Sequence, residues 1–253
     1  MLSMLPLALT LLALALPSQR PLETVGLQDR QRAAEHYRAG LAKMREEAWA
    51  EAEPEFRAAV GLDPLMVMAH YALGQTRMAL KNYPGAVDAF VACREAHHRV
   101  AALYQTDRAL ADQRREDEIR ELRDSLRLFQ SGAVKASNVR SMTLRLEARL
   151  QQLETDRRRG TQTVETPAEF SLALGSAYFR SGRLPDAERA YREAIEVNDR
   201  MGEARNNLAV LLMMTGRLSE AEAEMQAAEK AGYAVNPRFK DDLKRAKEAA
   251  PPR

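Results

Sequence analysis

The sequence predicts an all-α protein built from stacked helical repeats, and three observations support this fold class. Hydrophobic residues make up 45% of the 253 residues and charged residues 29%, which suits a large globular chain and excludes a disordered tail. Aromatic residues are only 6%, while alanine, leucine, arginine and glutamate are abundant, and this composition favours helices. A pattern of small and large residues also returns after 34 residues, from Gly40 to Gly74, and periods of this length are typical of helical solenoids.

The charge balance and the cysteine content exclude several functional classes. The 38 lysines and arginines stand against 36 acidic residues, so a net charge of +2 supplies no global field for a phosphate backbone. Cys93 is the single cysteine, which excludes an intramolecular disulfide and a multi-thiolate metal site.

Residues 1–17 form an uncharged apolar stretch, which predicts a secretory signal peptide with an A-x-A-like cleavage site at Ala13-Leu14-Ala15. The stretch is short for a transmembrane helix, which needs about 20 apolar residues. Export to the periplasm or secretion is therefore expected, and the alternative is membrane anchoring through an uncleaved 1–17 segment. Residues 18–31 are polar and predict a linker.

Four segments share the repeat pattern and predict four helix-turn-helix units. In three of them a glycine is followed after twelve residues by alanine and after four more by a large residue: Gly40, Ala52 and Phe56; Gly74, Ala86 and Phe90; Gly175, Ala187 and Tyr191. The fourth has Ala209, Ala221 and Met225 in these places. Small residues let two antiparallel helices approach closely, and the large residue fills the wedge between repeats. The copies at 33–66 and 67–100 define a region 32–100, and those at 168–201 and 202–235 define 166–235.

Residues 101–165 separate the two pairs of repeats and do not continue the pattern. In the repeat register the small positions would hold Arg108, Arg120 and Arg127, which do not fit a tight helix crossing. Two narrow apolar stripes occur instead, at Ile119, Leu122, Leu126 and Phe129 and at Val139, Met142, Leu146, Leu150 and Leu153. Narrow stripes are typical of a coiled-coil seam, so the segment predicts a charged antiparallel helical hairpin. Projection from the solenoid, folding back onto it, and pairing with a second chain as a homo-oligomer remain open alternatives for this hairpin.

The sequence also predicts a long helix before the hairpin and a further helix after the last repeat. No glycine or proline occurs between Ala86 and Ser131, so the second helix of repeat two is expected to run past its usual end. Residues 236–253 predict a capping helix and tail, because an amphipathic segment there places Phe239 and Leu243 on one side. A solenoid needs such a polar cap over its last apolar face.

This set of residues at this period resembles the tetratricopeptide repeat (TPR) family, of the exported bacterial type. The resemblance covers the four copies, slightly over half of the chain. Glu47 and Lys81 replace the family's turn glycine, which Gly182 and Gly216 retain. The resemblance implies a non-catalytic scaffold of the cell envelope that binds another protein.

The resemblance also implies a binding surface, because TPR proteins line their concave face with fixed positions of each first helix. Carried onto this chain, the candidate partner-binding residues are Tyr37, Leu41, Met44, Met68, Tyr71, Gln75, Met78, Leu172, Ser176, Phe179, Arg180, Asn206, Val210 and Met213. Methionine adapts to imperfect apolar partners, so this Met- and Tyr-rich set predicts a groove for an apolar peptide or helix. The alternative is a structural or oligomerising protein whose groove is filled by its own hairpin or capping helix.

No residue set predicts catalysis, a cofactor, a metal or nucleic acid. Cys93 and His97 are four residues apart, but Cys93 occupies a small position of the repeat and is expected to be buried. No nucleophile–base motif and no glycine-rich phosphate loop occurs in the sequence. Over residues 99–160, 14 basic and 10 acidic residues alternate, which is typical of solvated helices. The expected partner is a protein or peptide.

Overall fold

The structure, a computed structural model of the chain, describes residues 25–130, 139–159 and 165–249. Within these ranges it consists of eleven α-helices without a strand, which confirms the all-α solenoid. The helices of the first two repeats are α1 (Leu27–Arg45), α2 (Trp49–Leu62), α3 (Val67–Ala79) and α4 (Tyr83–Thr106). The hairpin consists of α5 (Arg108–Gln130) and α6 (Val139–Arg159). The remaining helices are α7 (Ala168–Arg180), α8 (Leu184–Val197), α9 (Gly202–Met214), α10 (Leu218–Lys230) and α11 (Pro237–Ala249).

The start of the described chain differs from the expected linker. Helix α1 begins at Leu27, so the last five residues of the 18–31 segment are helical. Arg30 and Ala34 of this helix line a cavity between α1 and α5. The proposed signal or anchor at 1–17 lies outside the described residues.

In the first three repeats the glycine of the first helix contacts the large residue of the second helix. A Cβ atom placed on the glycine would lie 2.5–2.7 Å from a ring carbon of the large residue: Gly40 against Phe56, Gly74 against Phe90 and Gly175 against Tyr191. No side chain fits in that space, so the ring lies directly on the backbone of the first helix. This contact explains why the two residue types recur together at a constant spacing.

The solenoid continues across the insert as if repeats two and three were adjacent in sequence. Helix α4 packs against α7, and the Phe170 ring of α7 lies 5.4 Å from that of Tyr71. Arg94 of α4 also pairs with Glu193 of α8 at 2.9 Å. The stacking of repeats therefore does not depend on the chain that connects them.

The hairpin begins later than the sequence indicates, because α4 runs on to Thr106 as its lack of glycine and proline predicts. The chain breaks at Asp107, where the backbone adopts φ −146° and ψ 87°. The Asp107 carboxylate accepts a hydrogen bond from the Leu110 amide at 3.0 Å and so caps α5. Residues 101–106 thus belong to repeat two, and the expected turn of the hairpin lies at 131–138, outside the described residues.

The hairpin folds back onto the repeats and does not project from the solenoid. Helix α5 packs against α1, α3 and α4, and α6 packs against α5. The predicted seam is buried, with Leu122 and Leu153 fully inaccessible. At the other end, α11 caps α10 with Leu243 buried and with ion pairs from Lys240 and Lys247 to glutamates of α10.

Two turns between helices hold a side chain in the left-handed backbone region. Glu47 and Lys81 have φ values of 57° and 60°, while the equivalent Gly182 and Gly216 have φ of 77°. This backbone conformation costs a residue with a Cβ atom about 1–2 kcal/mol of conformational free energy, whereas glycine adopts it without that cost.

We expect Lys81→Gly to raise the free energy of unfolding by about 0.5–1 kcal/mol, because the relief of backbone strain exceeds the extra chain entropy of glycine. Urea denaturation monitored by circular dichroism measures this change. Gly216→Ala is the matched reverse control, since no atom lies within 4 Å of the added Cβ and only backbone strain is introduced. A Lys81→Gly protein less stable than the parent would contradict the assignment of strain.

Candidate partner-binding groove

The first helices of the four repeats, α1, α3, α7 and α9, form the concave face of the solenoid. The hairpin divides the fourteen residues predicted to line it into two groups. Five lie beneath the hairpin and are no more than 4% exposed: Tyr37, Leu41, Met44, Met68 and Tyr71. We call these five residues the covered half of the groove. Between them and Phe129, Met142 and Leu146 of the hairpin remains a cavity of only about 20 Å³.

Tyr37 joins the covered half to the hairpin by a polar contact as well. Its hydroxyl lies 3.0 Å from the Ser125 hydroxyl of α5, and the Ser125 hydroxyl also donates to the Glu121 carbonyl at 2.7 Å. Burial raises the pKa of Tyr37 above its ordinary value, so the phenol remains protonated. Because both hydroxyls are buried, this hydrogen bond orients α5 on α1.

Arg114 of α5 forms a buried ion pair with Asp63, which lies in the connection between α2 and α3. Their side chains are 5% and 6% exposed, and Asp63 also accepts a hydrogen bond from the Leu65 amide at 3.1 Å. Such a pair adds little net stability, but loss of one partner leaves an uncompensated buried charge. The pair therefore favours one position of α5 over others.

Arg149 of α6 links the hairpin to both pairs of repeats. Its Nε donates to Glu118 at 2.9 Å, its Nη2 lies 3.4 Å from Nδ1 of His97 in α4, and its guanidinium lies 5.7 Å from the Phe170 ring centre in α7. Four helices therefore converge on one side chain. Cation–π and charge-assisted contacts of this kind are strong where water is excluded.

His97 is held neutral by this arrangement. Arginine can only donate, so Nδ1 of His97 accepts from Arg149, and Nε2 donates to the Glu165 carbonyl at 3.2 Å. Burial and then the positive charge of Arg149 lower the pKa of His97 to about 3. Sequence reasoning considered His97 with Cys93 as a metal cluster. Among the described residues no group of three or more metal-ligating side chains exists, and the buried Cys93 thiol donates to the Val67 carbonyl at 3.5 Å.

The other predicted residues extend beyond the hairpin, and we call them the open half of the groove. Gln75, Met78, Ser176, Phe179, Asn206, Val210 and Met213 are half-buried, Arg180 is exposed and Leu172 is buried. Met214, which was not among the fourteen, is 59% exposed beside Met213. The Arg180 guanidinium lies 5.7 Å from the Tyr83 ring centre, at cation–π distance, and is an exposed positive charge in the open half.

Sequence reasoning missed the side of the groove that the hairpin provides. Arg145 of α6 crosses to α9 and donates to both carboxylate oxygens of Glu203 at 2.7 and 2.6 Å. Met142 and Arg145 face Met78 and Leu172 across a cavity of about 380 Å³. The apolar stripe of α6 had identified Met142 as a hairpin residue, but no local pattern shows which surface the hairpin covers.

The sequence also matches a known protein family. A model of the tetratricopeptide repeat matches residues 37–97 and 172–235, the two pairs of repeats on either side of the hairpin. The chain therefore belongs to the tetratricopeptide repeat family. TPR proteins are generally non-catalytic interaction modules, and this fold is that of a protein-interaction scaffold. No curated protein sequence matches the chain.

Several solved structures are similar to this chain at low identity. A thermophilic TPR protein from Thermus thermophilus has 20% identity and a TM-score of 0.35, with 85% of this chain and 99% of that chain covered. PilF from Pseudomonas aeruginosa has 14% identity and a TM-score of 0.34, with 87% and 86% covered. The complex of the yeast Sti1 TPR2AB domain with pHSP90 has 13% identity and a TM-score of 0.28, with 86% and 98% covered. The family assignment rests on the sequence match.

No helix within the described part of the chain is long and apolar enough to cross a membrane.

The low pKa of His97 predicts a pH dependence of stability. The unfolded histidine binds a proton below about pH 6.5, whereas the native one does so only near 3. The stability that neutral His97 contributes is therefore present above about pH 6.5 and is lost as the pH falls towards 3, by at most about 1.4 kcal/mol per pH unit.

His97→Gln should remove this contribution, since an amide can accept from Arg149 and donate to the Glu165 carbonyl without binding a proton. Free energies of unfolding from about pH 7 to about pH 4 measure the difference between the two proteins. Carboxylates titrate in both, so only the difference reports on His97. Parallel pH profiles would contradict a neutral buried His97.

Proposed function

We propose that this protein is a non-catalytic scaffold that holds a helix or peptide of a partner protein in the open half of its groove. The observation that carries the proposal is that apolar side chains on the first helices of repeats two to four stay accessible: Met78, Phe179, Val210 and Met213 are half-buried, and Met214 is exposed. Methionine and phenylalanine that remain accessible along one groove suit an apolar helix face. Apart from the exposed Arg180, the residues of the open half are uncharged, so apolar burial is expected to supply most of the affinity.

A second function is supported by a different observation, that the covered half is filled from within the chain. In this alternative the groove serves internal packing only, and the outer side of the hairpin joins two chains. Leu144 of α6 is 58% exposed and supplies an apolar contact for such a pair. The two proposals differ in which apolar residues a partner buries.

We expect Phe179→Asp and Met213→Asp each to weaken partner binding by at least about tenfold, because a buried carboxylate without a counter-charge opposes apolar contact. The test is affinity capture from the envelope fraction, identification of the bound protein by mass spectrometry, and calorimetric titration with that protein purified. Phe179 and Met213 are half-buried, so their replacement leaves the core in place. Tyr71 is only 4% exposed and is not suitable for this test, since its replacement would affect folding.

Leu144→Asp is the matched control, an identical change at an exposed apolar residue outside the groove. Under the groove proposal it leaves binding unchanged. Under the alternative it converts a dimer to a monomer in light scattering, while the groove variants have no effect. Equal capture by the parent and both groove variants would exclude partner binding in the open half.

We also propose that the protein acts outside the cytoplasm, as a periplasmic or secreted protein. The support is the uncharged apolar sequence of residues 1–17 with its Ala13-Leu14-Ala15 motif. Intact mass of the protein recovered from cells is expected to correspond to a chain cleaved after Ala15. A full-length mass in the membrane fraction would favour the uncleaved anchor instead.

A further inference from the structure

A cavity of about 380 Å³ lies between the hairpin and the open half of the groove. Its walls come from separate parts of the chain: Met142 and Arg145 belong to α6, whereas Met78, Leu172 and Ala173 belong to the solenoid. Neither part forms the cavity alone. Whatever enters it contacts the insert and the repeats together.

The two charged groups of this cavity, Arg145 and Glu203, are paired with each other. The guanidinium of Arg145 donates to both oxygens of Glu203 at 2.7 and 2.6 Å, so the positive and negative charge cancel. The Ser176 hydroxyl donates to the Leu172 carbonyl of its own helix at 3.0 Å. A charged ligand group would lose its hydration without gaining a free counter-charge, so the cavity favours an uncharged occupant.

The apolar part of the lining indicates what that occupant is. A methionine lies on each wall of the cavity, Met78 on α3 and Met142 on α6. The flexible thioether side chain of methionine adapts to aromatic rings and to aliphatic chains. Ligand pockets in proteins measure about 300–1,000 Å³, so this one is at the small end and is too small for a helix. It has room for a single large side chain.

We propose that the cavity is an anchor pocket that receives one large uncharged side chain of the partner, aromatic or aliphatic, while the rest of the partner segment lies along the open half. The inference rests on the proposed function and adds to it that the hairpin is part of the recognition site. Buried apolar anchors in pockets dominate the affinity of most protein interfaces. The Arg145–Glu203 pair excludes charged anchors and holds α6 at the distance from α9 that the pocket requires.

The test uses the full-length protein labelled with carbon-13 at its methionine methyl groups, titrated with N-acetyl-tryptophanamide as a neutral probe. The Met78 and Met142 resonances, assigned by Met→Leu substitution, are expected to shift with saturation, while that of Met225 in α10 does not. N-acetyl-lysinamide is expected to shift none of them. Shifts that are absent from Met78 and Met142, or equal with both amides, would overturn the pocket.

Two variants test the chemistry of the cavity. Glu203→Gln leaves Arg145 without a counter-charge. The preference of the cavity should therefore reverse, by about tenfold, from the neutral amide to N-acetyl-tryptophan with its free carboxylate. Ala79→Trp, at an exposed position on the cavity lining, should abolish the methyl shifts, whereas Ala102→Trp, an exposed helical alanine away from it, should not. Retention of the amide preference in Glu203→Gln would overturn the role of the ion pair.

Failure of the pocket proposal can be distinguished experimentally from failure of the proposed function. If capture depends on Phe179 and Met213 but the probe leaves Met78 and Met142 unmoved, the groove stands and the pocket is wrong. If the probe binds but capture does not depend on Phe179, the proposed function fails and the role of the pocket in partner recognition fails with it.

Discussion

The packing of the hairpin into the concave face is the interaction on which the rest of this structure depends. It covers five side chains of the first two repeats that are no more than 4% exposed, and full burial of an apolar side chain such as Leu41 or Met44 contributes about 1.5–3 kcal/mol relative to exposure. A TPR solenoid is held together mainly by contacts between neighbouring repeats. Here the hairpin adds contacts that reach α1, α3 and α4 directly and α7 and α9 through Arg149 and Arg145. The two pairs of repeats are thereby joined twice, by α4 on α7 and by the hairpin.

Charge gives this packing its specificity. An apolar seam alone permits a helix to slide or turn over, because methyl groups have no direction. Two arginines remove that freedom: Arg114 of α5 pairs with Asp63, and Arg149 of α6 meets Glu118, His97 and Phe170. A displaced hairpin would leave each buried guanidinium without its partners, and that cost exceeds the small net stability of the pairs themselves.

The same arrangement divides the concave face into a part that holds the chain together and a part that remains accessible. The accessible part adjoins α6, and it includes the cavity that lies between α6 and the repeats. An insert that fills half of a groove therefore also shapes the other half. A partner would meet a site with one wall from the repeats and one from the hairpin, and its selectivity would come from both.

The sequence by itself determined the helices, the repeats and their pairing, because these follow from local periodicity and from contacts within one repeat. The ring of Phe56 or Phe90 lies on the glycine sixteen residues before it, so the spacing alone identified two helices at close approach. The long α4 and the hairpin followed from the absence of glycine and proline and from two narrow stripes. Only the start of α1 and the division between α4 and α5 at Asp107 differed by a few residues, because helix ends depend on single capping contacts.

Only the tertiary structure decided where the hairpin lies and hence which groove residues remain accessible. Met44, Met78, Phe179 and Met213 occupy equivalent repeat positions, and nothing in their local sequence separates the covered Met44 from the three residues of the open half. The difference arises from contacts between residues far apart in the chain, such as Tyr37 with Ser125 and Arg145 with Glu203. A periodic pattern records that a helix has an apolar face, and it carries no information about which surface that face meets.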